Sequence, residues 1–170
     1  MPQSLPLPPA ARAIAAATTD AVTAAKATDV ARFDEAVGRL AAAEPEQVRV
    51  VLGVLVRALL EDLHPDGVSG DDLLELIKSC ARTSYGWYPA VDLDALVVVL
   101  TGALGVHEPE LEPRAFTALD VARHAPLFIA ELLTVISAPG RVAAGPQRTL
   151  SDRFSAAFGE LSRAELNELP

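Results

Sequence analysis

Val48-Arg49-Val50-Val51-Leu52-Gly53-Val54-Leu55-Val56-Arg57-Ala58-Leu59-Leu60-Glu61-Asp62-Leu63 decides the fold class of this chain. Val48, Val51, Leu52, Leu55, Leu59 and Leu63 recur at the three- and four-residue spacing of one helical face. Val50, Val54 and Leu60 broaden that face until the helix is apolar nearly all round. Such a helix belongs in the middle of a bundle. Arg49 and Arg57 interrupt the run, and it is too short to span a bilayer.

Working outward, proline and acid mark the boundaries. Pro45 disfavours the α region in the residue before it, which stops the preceding helix, and Pro45 can itself open the next one. Glu44 and Glu46 complement the dipole there. Upstream, Thr28-Asp29 reads as a cap, followed by Val30, Phe33, Val37 and Leu40 on one face. Residues 10–27 hold ten alanines in eighteen positions. A helix is expected there, with an apolar face so thin that it must pack closely on a neighbour or fray. Residues 1–9 carry four prolines and read as a flexible tail.

Downstream, residues 62–70 form a turn-rich loop, and Asp71-Asp72 begins a helix bearing Leu73, Leu74, Ile77, Cys80 and Ala81. Asp92 caps a helix that carries Leu93, Leu96, Leu100 and Leu104 and stops at Gly105. Val97-Val98-Val99 within it leaves a buried strand as the minor alternative. Residues 106–113 read as an acidic linker. Two helices, 114–124 and 126–137, are expected to break at His124-Ala125-Pro126. A loop over 138–146 precedes a last helix, 149–166, capped by Ser151-Asp152 and striped by Leu150, Phe154, Ala157, Phe158 and Leu161. The sum is an all-α single domain of seven to eight helices over residues 10–170, an irregular bundle or a short stack of helical hairpins. Residues 28–45 have the small-aromatic-small rhythm of a tetratricopeptide second helix. Nothing recurs one repeat later, so a repeat array is rejected.

The chain has 170 residues and a net charge of −9, with two lysines, Lys26 and Lys78, against twelve arginines. A negative field repels phosphate backbones, and no basic stripe offsets it, so direct nucleic-acid contact is not expected. The helix over 93–104 is too apolar to lie in a DNA groove, and Arg148, Arg153 and Arg163 share the last helix with acids. The tail has neither the basic nor the apolar part of a signal peptide. A soluble cytoplasmic protein with no membrane contact is the expectation.

Catalytic and metal motifs fail on named residues. Cys80, the only cysteine, excludes an internal disulfide, and its apolar helix suits a buried, unreactive thiol. Counting Asp62 as the first position of a calcium loop puts Asp66 and Gly67 in register, but Leu73 stands where the bidentate glutamate belongs. His64, His107 and His124 lie in three separate loops or helix ends. For His124 the expected role is an imidazolium at a helix C-terminus. Ser69 lacks a nucleophile elbow, and no phosphate-cradling glycine loop occurs. No cofactor is expected.

What remains is Thr83-Ser84-Tyr85-Gly86-Trp87-Tyr88-Pro89, which holds both tyrosines and the only tryptophan. Arg82, Tyr85, Trp87 and Tyr88 are the residue types that dominate interface hot spots. They also suit a structural corner, with Gly86 supplying the turn and the rings laid over the ends of core helices. The expected function is a non-enzymatic interaction or regulatory module with an acidic surface, its protein partner basic or a second copy of the chain. The alternative is a small-ligand domain with its cleft near Tyr85, Trp87 and Tyr88. An enzyme whose site forms no sequence motif comes third.

Overall fold

The computed structural model describes residues 7–106, 116–140 and 148–167. Among them are seven α-helices and no strand: α1 (Pro9–Lys26), α2 (Val30–Ala42), α3 (Pro45–Leu63), α4 (Gly70–Tyr85), α5 (Leu93–Ala103), α6 (Ala118–Ile136) and α7 (Leu150–Asn167). Residues 1–6 of the expected tail, most of the expected acidic linker with His107, and residues 141–147 lie outside the described residues. No described helix is long and apolar enough to cross a membrane.

The helix starts follow local chemistry. Asp29 accepts from Arg32 N–H at 3.1 Å, and Glu44 accepts from Gln47 N–H at 2.6 Å with Pro45 in the first turn. Asp92 caps α5 through Ala95 N–H. Ser69 with Asp72 and Thr117 with Asp120 form reciprocal capping boxes at α4 and α6. At α7 the same reciprocal pattern joins Thr149 and Asp152, so the cap sits at Thr149 and not at the expected Ser151. A serine or threonine three residues before the acid places both donors within reach, which Ser151-Asp152 cannot do.

The alanine-rich α1 packs tightly along α2, burying Ala17, Ala21, Ala24 and Ala25. On α2, Phe33, Val37 and Leu40 are inside, whereas Val30 of the expected face is 41% exposed. Eight residues of α3 are buried, as its pattern requires. α5 brings Ala95, Leu96 and Leu100 into the core, and Val97, Val99, Ala103 and Leu104 pack against it. Val97, Val98 and Val99 are helical and half-buried.

The hub is α6, which packs on α1, α2, α3, α4 and α5. It runs unbroken through Pro126, so the expected division at His124-Ala125-Pro126 does not occur. An interior proline is unfavourable by about 3 kcal/mol, through a lost hydrogen bond and a clash. A break would re-expose Leu127, Phe128, Ile129 and Leu132, each worth roughly 1.5–3 kcal/mol of burial. Packing on five neighbours therefore outweighs the local preference.

Candidate functional site

The aromatic segment is built on the last turn of α4. The Ser84 carbonyl accepts from Trp87 N–H at 3.1 Å and Tyr88 N–H at 2.8 Å, folding the chain back on the helix end. Gly86 has φ −66°, an ordinary right-handed value, and a Cβ there would meet nothing within 4 Å. The expected glycine turn is thus one that other residues could make.

Phe33 of α2 is the platform. The Trp87 ring meets it edge-on at 5.4 Å and 89°, and the Tyr88 ring at 4.8 Å and 71°. Trp87 and Tyr88 lie 5.3 Å apart. Edge-to-face geometry sets the positive ring edge against a negative face, and rigidifies all three side chains. Tyr88 is buried, and its hydroxyl donates to Asp34 Oδ1 at 2.9 Å. Burial pushes the Tyr88 phenol above its ordinary pKa; the bond to Asp34 adds to this, while nearby Arg123 opposes it. Trp87 is half-buried.

Tyr85 and Arg82 take the other side. Tyr85 is 50% exposed, and Arg82 is exposed in an ion pair with Glu75 at 3.5 Å. Tyr85 lies eleven residues, three turns, beyond Leu74, itself 49% exposed. Lys78 and Arg82 fall between them on the same outward arc. The four sequence candidates therefore split: Trp87 and Tyr88 join the Phe33 stack, and Arg82 and Tyr85 end the outer stripe of α4.

Beside this corner is a polar joint that the sequence did not disclose. His124 lies inside α6, 1% exposed, with Nδ1 2.8 Å from the Asp120 carbonyl and Nε2 3.0 Å from Asp92 N–H. A backbone N–H only donates, so Nε2 carries the lone pair and Nδ1 the proton. The ring is neutral, and desolvation by burial holds its pKa below the ordinary value. The expected imidazolium at a helix C-terminus is therefore wrong on both counts. His124 instead bolts the N-cap of α5 to α6. Its true position is hidden in the sequence by Pro126, which reads as the end of a helix.

The remaining titratable residues have local uses. His64 Nδ1 is 4.0 Å from Asp72 Oδ2, and the Ser69 backbone and hydroxyl hold the Asp72 carboxyl below its ordinary range. Asp62, first position of the rejected calcium loop, turns to Arg153 of α7. Among the described residues no group of three or more His, Cys, Asp or Glu side chains is gathered to hold a metal ion. Cys80 is fully buried, and desolvation beside the Glu131 carboxylate pushes its thiol to about 12. Such a sulfur is not a nucleophile at neutral pH.

A cleft of about 410 Å³ opens between α3, α5 and α6. Arg49, Leu52 and Gly53 line it from α3, Val98, Val99, Thr101 and Gly102 from α5, and Val121 and Ala125 from α6, with Phe116 beside them. None of Arg82, Tyr85, Trp87 or Tyr88 reaches it. Compared with protein-family models, curated proteins and solved structures, the chain finds no match.

Proposed function

We propose that this chain is a non-enzymatic protein-interaction module of the cytoplasm, which engages its partner through the outward face of α4 and the aromatic corner at its end. The observation that carries this reading is the alignment of half-exposed Leu74 and Tyr85 on one arc, three turns apart. Lys78 and Arg82 lie between them, and Arg82 and Tyr85 are of the residue types enriched in hot spots. The Phe33–Trp87–Tyr88 stack supports the corner, so little side-chain entropy is lost when a partner seats there. The net charge of −9 favours a partner that is basic around the contact, drawn in by the long-range field, with apolar or acidic groups where it meets Lys78 and Arg82. A regulatory role, masking such a partner's basic face, fits that charge.

A photo-crosslinking residue placed at Tyr85 tests the surface in the native host, with the same probe at exposed Ala156 of α7 as the control. A discrete adduct is expected from position 85 and not from 156. It should disappear in a Leu74→Asp background that melts at the wild-type temperature. Equal adducts from both positions, or none from either, would remove the α4 surface from consideration.

A further inference from the structure

We propose that the cleft between α3, α5 and α6 is a binding site for a small uncharged apolar molecule, separate from the α4 surface. The cleft opens to solvent on one side, and its volume of about 410 Å³ is that of a small-molecule site, typically roughly 300–1,000 Å³. An apolar cavity of roughly 150 Å³ suffices for benzene, so a cleft of about 410 Å³ accommodates a fused bicyclic ring carrying a further phenyl.

The chemistry of the wall selects against charge. Leu52, Val98, Val99, Phe116 and Val121 supply an apolar lining. Among the described lining residues the ionised side chain is Arg49, which Glu46 already holds through Nε to Oε2 at 3.0 Å and through Nη2 to Oε1. The Thr101 hydroxyl is turned back on the Val97 and Val98 carbonyls at 3.0 and 3.2 Å. Among the described residues an anion entering here would have to draw Arg49 from Glu46 to gain a counter-charge, and a cation would meet none on the wall. An uncharged apolar one loses only unfavourable contact with water.

The hollow also exists because side chains are missing from it. α3 and α5 each carry one glycine, Gly53 and Gly102, and both face the cleft. Glycine within a helix is less favourable than alanine by roughly 0.5–1 kcal/mol. Neither residue has the positive φ that would require glycine. A Cβ on Gly102 would meet nothing within 4 Å, and one on Gly53 only Ala103 Cα at 3.9 Å, an ordinary contact. Close helix packing therefore does not explain them. Their effect is to keep the space open.

The test is a fluorescence titration of the full chain with N-phenyl-1-naphthylamine, a neutral probe of the required size. Wild type should give a saturable, blue-shifted enhancement at one site per chain. Gly102→Leu and Val98→Trp fill the cleft from within and should each weaken binding at least tenfold, with folding checked by far-UV circular dichroism. Gly102→Ala, which favours the helix, guards against misfolding and should weaken binding a few-fold while raising Tm. Tyr85→Ala should bind as wild type. Absence of saturable binding to wild type overturns the proposal, as does undiminished binding to the filled variants. Displacement by 1-naphthylacetate, stronger than by 1-naphthol and lost in Arg49→Gln, would overturn the uncharged class.

Discussion

His124 shows how one side chain can tie two helices together while holding a proton-sensitive bond. Its Nε2 accepts from Asp92 N–H only while neutral, because a proton there would face a donor. Burial lowers the ring's pKa in the folded chain below the ordinary 6.5; Asp120 and Asp92 oppose this, and Arg123 adds to it. The unfolded chain therefore takes up the proton first as pH falls. The contribution of His124 to stability is fully present above about pH 6.5 and is lost progressively below it, down to the folded-state pKa. We expect His124→Leu to be less stable by about 1–3 kcal/mol at pH 7.5, since the Asp92 N–H loses its acceptor. Urea unfolding between pH 7.5 and 5 should show that gap narrowing on acidification, because only wild type carries a ring to protonate. A gap constant across the range would refute the linkage. At this scale the caps Asp29 and Asp92 were legible, since each acts within three residues of itself, whereas the cap of α7 lies at Thr149 and not at Ser151. His124 was not, because its acceptor role involves a residue 32 positions away.

Between elements, the contact of α7 with α3 is asymmetric. Arg153 is 8% exposed at its side chain, whereas its partner Asp62 is 45% exposed. The guanidinium depends on the carboxylate, but the carboxylate has water as an alternative. Asp62→Ala would strand a buried charge, and we expect a loss of roughly 2–4 kcal/mol, below the fully buried range because solvent reaches one side. Arg153→Met keeps the apolar stem, releases Asp62 to solvent and should change stability by less than about 1 kcal/mol. Guanidinium denaturation of the two variants separates these cases. Equal losses would mean that the pair, and not the burial of Arg153, sets the energy. Pairings of this kind are not written in local pattern: Arg153 and Asp62 are 91 residues apart. Local pattern did mark most helix ends, through proline, acid and glycine. It misplaced the division at Pro126, where a steric rule about one residue met five packed neighbours.

For the whole molecule, the periodic signal disclosed that the chain is a helical domain, but not which helix lies at its centre. Apolar content pointed to residues 48–63, and α3 is buried as expected, yet the helix with the most neighbours is α6, which packs on five others. Centrality depends on how many sides of a helix find neighbours, and the arrangement of neighbours is a tertiary property. The candidate surface was half legible. Rare aromatics marked the segment, but the division of Tyr85 from Tyr88 depends on Phe33, more than fifty residues earlier. One wall shared by five helices also has a consequence for unfolding. Phe128 is fully buried in α6, and Phe128→Ala should remove about 3–5 kcal/mol through lost burial and the cavity left behind. That is a large share of the roughly 5–15 kcal/mol that holds a domain together, and should lower Tm by about 10 °C. Trp87, stacked on Phe33 of α2, reports the corner, and far-UV circular dichroism reports all the helices together. If α6 couples the bundle, both probes give one coincident transition in wild type and shift equally in the variant, with an unchanged denaturant slope. Separated midpoints would show instead that α1 and α2 with the aromatic corner unfold independently of α3 and α6, and the hub would then join two cooperative units where the packing implies one.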